Sequence, residues 1–502
     1  MNGLATMSLW AVTLLLMAIA PAPTAAQDRQ LLRELQKTNV RVLEQAGPAV
    51  VAIARVRRGL PQPTVQVSPL VDIDPTTPDD PEFVPSDFGA GIIIRANNPE
   101  HPKLILTNYH VVRGGPVLGK NDPNTNSDLW ITAAGGVRFQ ASIVAADPHS
   151  DLAALSVTEC DHRDALTALS PRTYSPRKGQ LAFMLGNPFA IARDGSASAN
   201  WGVVGNVLRS PFRESPDFDN EFNLFETVHH FGTLMQIGTA VPLGTSGGAV
   251  LNLDGELVGI TTSLAPLKGY ETSAGYAVPF TPGFRRVLAE LTRGYEVEYG
   301  FLGIRPLTAT PRDFEGFHAD KCPAGGAVAL SVTPNSPAQA GGLKANDVVV
   351  AINDQPVRNT LDLMRDVALL GPQVKVRLKA WRPQEKRFVT KTVTLGKWPV
   401  RNATDLIATA FRNPEWRGIR VDYATSRAKY LRGGGTIQFE NAVVVIAVDE
   451  ERQGLRIQPG DFISHVADKR VHTPAEFRNA VRDLDDDPVT VRTTDDRLIE
   501  IK

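Results

Sequence analysis

From about residue 88 to residue 280, short apolar runs bounded by Gly, Pro, Asn and Asp follow one another with no amphipathic helix between them. Residues 91–94, 104–107, 152–157, 181–185, 203–208 and 257–262 are such runs, each of strand length. A parallel sheet needs a long, usually helical, crossover between successive strands. Without crossovers a doubly wound fold is excluded, and an antiparallel barrel or sandwich remains. The 41 glycines and 37 prolines fit a mostly β, turn-rich chain. Residues 137–144 show no clear period and receive no strand assignment.

At 502 residues the chain is too long for one ordinary domain, and ~100 to 200 residues per domain predicts about three. Residues 1–26 have an apolar core at about residues 9–20 and end in Thr24, Ala25 and Ala26, the pattern of a cleaved export signal. Export places the mature chain in the periplasm or outside the cell. The segment carries no Lys or Arg before its apolar core; left uncleaved, it would associate the chain with a membrane. Its apolar run is shorter than the ~20 residues that span a bilayer.

Residues 28–46 place Leu31, Leu32, Leu35, Val40 and Leu43 near helical spacing, and Gly47-Pro48 stops that helix. Residues 27–295 read as the first folded domain, with a long polar loop at 60–87, an inserted loop at 211–230 and a closing helix at 281–291. His229 and His230 read as packing or surface residues, because no matching ligand pair lies nearby in sequence. Two later segments, 298–398 and 410–502, resemble one another. Each has an aliphatic-Gly-aliphatic or related opening, a Gly-Leu…Asp turn and a short amphipathic helix, the features of small α/β units.

A formal net charge of −1 supplies no positive field for phosphates, so no nucleic-acid partner is expected. Cys160 and Cys322 fall in different domains, read as buried thiols, and join no ligand cluster. They argue against a metal site and against cysteine catalysis, and nothing in the sequence asks for a cofactor.

Three stretches carry nucleophilic chemistry: Leu106-Thr107-Asn108-Tyr109-His110-Val111-Val112, residues 147–155, and Gly244-Thr245-Ser246-Gly247-Gly248-Ala249-Val250. A serine hydroxyl attacks poorly until an imidazole takes its proton, and the imidazole needs a carboxylate to fix its tautomer. The order His, Asp, Ser is that of chymotrypsin-like double β-barrels, not of subtilisins or α/β-hydrolases. Glycines around Ser246 allow a tight turn that presents amide N–H groups, with Gly244 and Ser246 the expected donors to an oxyanion.

These stretches resemble the HtrA/Deg family of serine proteases with PDZ domains. The family's T-N-x-H-V-V is met at residues 107–112 and its D-x-x-x-D-L-A-x-L at residues 147–155, so the carboxylate falls on Asp151. Its G-N-P-F is Gly186-Asn187-Pro188-Phe189, and its G-N-S-G-G pattern becomes residues 244–248 with Thr245 in place of Asn. Ile237-Gly238-Thr239-Ala240 stands where T-D-A is usual, and Val241-Pro242-Leu243 where I-N-P is usual. The resemblance implies a chymotrypsin-like protease domain followed by two PDZ-like domains. Catalysis would rest on His110, Asp151 and Ser246, and a pocket with Leu243 and Thr261 would take small aliphatic side chains.

Phe301-Leu302-Gly303-Ile304 has the form of a PDZ carboxylate-binding loop, followed by a strand edge that accepts a peptide. In the second unit Trp416-Arg417-Gly418-Ile419 puts Arg417 where an apolar residue is usual. The resemblance further implies unfolded or misfolded exported polypeptides as substrates, peptide C-termini as ligands of the first unit, and a homotrimer or larger assembly. The altered loops before Ser246 leave open a non-hydrolytic, chaperone-like peptide binder.

Overall fold

The computed structural model describes residues 25–57, 85, 87–113, 127–157, 159–187, 194–210, 227–262, 275–314, 323, 325–401, 403–412, 415–427, 439–449, 456–482, 484 and 488–501. Residues 1–24 of the expected export signal at 1–26, nearly all of the expected 60–87 loop, residues 211–226 of the expected inserted loop, and Cys322 lie outside them. A helix at Ala25–Ala46 opens the described chain and ends in a 3₁₀ turn at Gly47–Ala49, where Pro48 cannot continue it. Only its C-terminal end is covered: Val42 and Ala46 are buried, whereas Leu31, Leu32 and Val40 of the expected apolar face are exposed. Among the described residues no helix is long and apolar enough to cross a membrane.

The first sheet is built from β1 (Val50–Arg57), β2 (Asp87–Arg95), β3 (Lys103–Asn108), β4 (Ser127–Ala133), β5 (Val137–Ala141), β6 (Ile143–Asp147) and β7 (Leu152–Ser156). These strands are antiparallel in the order β6-β7-β3-β2-β1-β4-β5. The unassigned run 137–144 thus belongs to two strands. In β5, Phe139 and Ala141 alternate inward, but β6 is alanine-rich and almost wholly buried, so it has weak β-propensity and no two-residue period. Cys160 lies buried beside this sheet as a free thiol.

Strands β8 (Leu181–Gly186), β9 (Ser198–Arg209), β10 (Leu234–Ile237), β11 (Ala249–Leu251), β12 (Leu257–Thr262) and β13 (Gly275–Pro279) close into a barrel in the order β10-β13-β12-β11-β8-β9. One hydrophobic cluster joins the two sheets: Ile92, Leu104 and Leu106 pack with Leu185, Leu251 and Ile260. A helix at Pro282–Leu291, with Thr281 before Pro282 at N1, buries Phe284, Val287, Leu288 and Leu291 against that cluster. The end of the expected inserted loop is core as well: Val228–Phe231 form a buried 3₁₀ turn. His229 there is fully buried because both ring nitrogens have partners, Thr233 Oγ1 at 2.6 Å and the Ser150 carbonyl at 2.8 Å.

A two-stranded stalk, β14 (Gly300–Phe301) with β21 (Gly396–Lys397), carries a smaller sheet. That sheet comprises β15 (Ile304–Thr308), β16 (Ala327–Val332), β17 (Val348–Ile352), β18 (Gln355–Pro356), β19 (Lys375–Arg382) and β20 (Arg387–Thr394). Its main path is β15-β16-β17-β19-β20, and a helix at Thr360–Leu370, capped by Asn359, covers its core. The same order recurs in β23 (Ile419–Tyr423), β24 (Val443–Val448), β25 (Phe462–Val466), β27 (Val489–Thr493) and β28 (Leu498–Ile501). There β26 (Lys469–Arg470) pairs with β25, and the helix is Pro474–Val481. The join between the two units is pinned down: its strand β22 (Ile407–Ala408) pairs with Ala146 and Ala145 and extends the first sheet at β6.

Candidate active site

Strand β3 ends at Asn108, and a one-turn helix, Tyr109–Arg113, carries His110. Its Nδ1 lies 2.9 Å from both carboxylate oxygens of Asp151, and its backbone N–H donates to Asp151 Oδ1 at 3.0 Å. Asp151 has a φ of 53°, a left-handed conformation tolerated by Asp and held here on both sides. Its carbonyl accepts from Tyr109 N–H at 2.9 Å and Asn108 Nδ2 at 3.0 Å, and its Oδ2 accepts from Thr262 Oγ1 at 3.3 Å. Burial lowers the affinity of His110 for a proton, but the charge and hydrogen bond of Asp151 outweigh it and raise the imidazole above its ordinary 6.5.

The turn before Asp151 is fixed by Asp147. Its carboxylate accepts from the backbone N–H groups of His149 and Ser150, both at 3.1 Å, and from Ser150 Oγ at 2.5 Å. The hydroxyl of fully buried Tyr299 donates to the same carboxylate. The ring of Trp398 lies 4.7 Å from that of His149, and Trp398 N–H bonds the Tyr299 carbonyl at 2.8 Å. Tyr299 and Trp398 flank the stalk of the third sheet, so both crossings of that stalk press on the loop bearing Asp151.

Ser246 lies 5 % exposed on the loop before β11. Its carbonyl accepts from Ala90 N–H at 2.8 Å, and Gly247 N–H donates to Thr261 O at 3.0 Å. Thr261 Oγ1 donates to Thr245 O at 2.5 Å and accepts from Gly248 N–H at 3.0 Å, so fully buried Thr261 ties down the loop. Leu243 is 63 % exposed beside it. Among the described residues the N–H groups of Gly244 and Ser246 make no hydrogen bond, leaving both donors open. The structure therefore joins His110 to Asp151 directly and holds the Ser246 loop against β2 and β3; a His110–Ser246 hydrogen bond is not formed among the described residues. Such bonds often tighten only with substrate.

Gly247 is required sterically. Its φ is 87°, and a Cβ there would stand 2.0 Å from Ala90 O and 2.5 Å from Thr107 Oγ1. Gly247→Ala is expected to push the Ser246 loop off β2 and lower turnover about 10²-fold, with far-UV circular dichroism unchanged. Turnover within threefold of the parent would show that the loop tolerates the shift.

Thr262 and Tyr299 escaped the sequence reading, whereas His229, read as a packing or surface residue, is buried in the packing. Thr262 is signalled only as the second of two adjacent threonines at a strand end, and the carboxylate that Tyr299 meets, Asp147, is distant in sequence. Among the described residues no cluster of His, Cys, Asp and Glu could hold a metal.

In the third sheet, Phe301 pairs with Gly396 and Leu302 is buried, its carbonyl accepting from Ala338 N–H at 2.9 Å. Gly303 has a φ of 81° and no room for a Cβ, which would lie 2.3 Å from Ser336 Cβ. Ile304 opens the edge strand β15. The corresponding turn of the fourth sheet is closed on itself. Trp416 and Ile419 exchange both backbone hydrogen bonds, at 3.0 and 2.9 Å, across Arg417 and Gly418 with φ of 48° and 78°. That is a two-residue hairpin turn with both central residues left-handed. Arg417 itself folds back, donating to Ile501 O at 2.8 Å.

A trypsin-like peptidase domain model matches residues 89–260, and a PDZ domain model matches residues 328–382. The chain is 25 % identical over 470 residues to a probable periplasmic serine endoprotease, DegP-like, of Pseudomonas putida, covering 88 % of this chain and 87 % of that one. It is 27 % identical over 411 residues to the periplasmic pH-dependent serine endoprotease DegQ of Escherichia coli, covering 80 % and 77 %. The solved HtrA-type protease AlgW with tripeptide shares the fold at a TM-score of 0.50 and 23 % identity, over 72 % of this chain and 98 % of that one. Nothing in the fold or in these likenesses favours an inactive peptide binder. With a trypsin-like peptidase domain built from a half-barrel and a closed barrel, a PDZ domain after it, and relatives named as periplasmic serine endoproteases, the chain is a serine endoprotease of the HtrA/DegP type.

Proposed function

We propose that Ser246 is the nucleophile, His110 its general base and then acid, and Asp151 the carboxylate that orients His110. The observation that carries this reading is the pair of 2.9 Å contacts from His110 Nδ1 to Asp151, which leave Nε2 as the basic nitrogen. Ser246 Oγ attacks the peptide carbonyl as His110 Nε2 takes its proton. The open N–H groups of Gly244 and Ser246 stabilise the oxyanion, and His110 returns the proton to the departing amine. Water then hydrolyses the acyl-enzyme by the same route. Leu243 borders the pocket in this reading and small aliphatic side chains fill it, while Thr261 supports the loop from behind.

Substrates are unfolded or misfolded exported polypeptides, handled in the periplasm, where the relatives' names place them. The protease unit spans 27–295, and units 298–398 and 410–502 are both PDZ-like. The first unit takes peptide C-termini at Phe301-Leu302-Gly303-Ile304. The second does not, because Ile419 N–H, which would meet a carboxylate, is already bonded to Trp416 O. The exposed face of Leu31 and Leu32 favours assembly into a homotrimer or larger oligomer.

The test is incubation of the full chain with a fluorophosphonate and with casein. A single adduct on Ser246 that abolishes casein cleavage is expected. An adduct elsewhere, or cleavage that survives a fully labelled Ser246, would remove the assignment.

A further inference from the structure

Strand β15, which follows the Phe301-Leu302-Gly303-Ile304 loop, is the outer strand of its sheet and has a neighbour on one side only among the described residues. Which of its backbone groups face the open side follows from its bonds to β16. Gly303 O accepts from Thr333 N–H at 3.0 Å, and Ala309 N–H donates to Gly326 O at 2.9 Å. Ile304 is aligned with Val332, Arg305 with Ser331, Pro306 with Ala329 and Thr308 with Ala327, the one register shift lying between Arg305 and Pro306. The extra residue of that bulge, Leu330, is on β16, so alternation along β15 is unbroken. Residues 303, 305, 307 and 309 therefore face β16, and residues 304, 306 and 308 present their backbone groups to the open edge.

The middle one of these three is a proline. A peptide added antiparallel to β15, with its carboxylate at the loop, would exchange hydrogen bonds with residues 304, 306 and 308 in turn. At Pro306 only the carbonyl can take part, since proline has no N–H and its ring occupies the space where a donor would project. The peptide carbonyl two residues before the C-terminus then meets the pyrrolidine ring. Proline on an outer strand, with its missing donor turned outward, is also how sheets resist pairing with other chains.

Building on the reading that the first PDZ unit captures a peptide C-terminus, we propose that Pro306 cuts strand addition short, so that this site reads the carboxylate and the last two residues and gains little from the rest of the peptide. Pro306 is a specificity-determining residue of that site: its ligands are free hydrophobic C-termini of any upstream sequence, as cleaved or damaged polypeptides present them, not an extended motif.

Fluorescence anisotropy on the full chain bearing Ser246→Ala, which prevents turnover, tests this with a leucine-terminated tripeptide, a decapeptide sharing its last three residues, and the C-terminal amide of each. With Pro306 in place the two free acids are expected to bind within about twofold of each other. Pro306→Ala should tighten the decapeptide about two- to tenfold, the range of one hydrogen bond. Pro306→Val serves as a second variant, and unchanged thermal melts establish that both are folded. A decapeptide that already binds more than fivefold tighter than the tripeptide, or that gains nothing in either folded variant, overturns the role of Pro306 while leaving C-terminal capture intact. Equal binding of acids and amides, or no binding at all, overturns C-terminal capture itself and this inference with it.

Discussion

Asp151→Asn should lower kcat by about 10⁴-fold and leave the fold in place, the loss typical when a serine protease's histidine is set in the wrong tautomer. Both carboxylate oxygens of Asp151 accept: Oδ1 from the His110 backbone N–H, Oδ2 from Thr262 Oγ1, and both from the imidazole Nδ1. An amide must point its NH₂ at one of these donors. The imidazole relieves that clash by carrying its proton on Nε2, where a base is needed. Charge makes a second, separable mark. Since Asp151 raises His110 above 6.5, activity of the parent enzyme should fall as pH drops through a midpoint above 6.5, where His110 becomes protonated. With the carboxylate gone, burial alone acts on the imidazole, and the acid limb should move to lower pH. A pH profile of kcat/KM on a chromogenic peptide reads both effects. A limb that stays in place, or a kcat within tenfold of the parent, would falsify the role given to Asp151.

Much of this site was legible because its parts are local. His110 ends an apolar strand and Asp151 opens another, while Ser246 sits among glycines whose need is steric, as the 2.0 Å clash at Gly247 shows. What stayed hidden depends on distance or on burial. Residues 137–144 lacked a period because β6 is covered on both faces, so alternation had nothing to record. The tether from Thr261 to the Ser246 loop depends on which carbonyl its hydroxyl faces, which no local pattern records. The helix at 25–46 shows an apolar stripe that its own chain leaves half uncovered, so periodicity gave its type but not its contacts. The hold of Tyr299 and Trp398 on the aspartate loop, and the pairing of β22 with β6, join segments more than a hundred residues apart. These long contacts turn a string of modules into one structure in which both ends of the unit that carries the PDZ match touch the loop carrying Asp151.

Lys397→Met should destabilise the chain by about 3–5 kcal/mol at neutral pH, the cost of removing one partner from a buried ion cluster. Lys397 is buried at the end of the stalk, and its Nζ lies 2.7 Å from Glu296, 2.8 Å from Asp422 and 3.3 Å from Glu298. Arg427 bridges the same Glu296 and Asp422 at 3.2 Å, and Arg412 approaches Glu298 at 3.8 Å. The acids come from the chain after the protease helix and from β23, so the cluster locks all three units together. Without the ammonium, Glu296, Glu298 and Asp422 are left with Arg427 and with Arg412, which Glu290 also engages, in a site that is mostly buried. Burial pushes the Glu296 carboxyl up, but the charges of Lys397 and Arg427 more than offset this and hold it at about 2, against an ordinary 4.5. Burial leaves Glu298 raised, so it adds nothing to that advantage. A folded-state value below the unfolded one means that Glu296 stabilises the protein fully above about pH 4.5 and loses its contribution as pH falls toward 2. The gap between parent and Lys397→Met should therefore be widest near pH 7 and narrow below pH 4.5, as acid neutralises the orphaned carboxylates. Urea unfolding at pH 7 and pH 4, followed at its first transition because three units need not unfold together, measures that gap. Asp422→Asn added to Lys397→Met should recover part of the loss, since it removes one of the stranded charges. A variant as stable as the parent at pH 7 would mean that desolvation cancels the whole attraction, and that packing around Trp398 and Phe301 holds the units together without the ions.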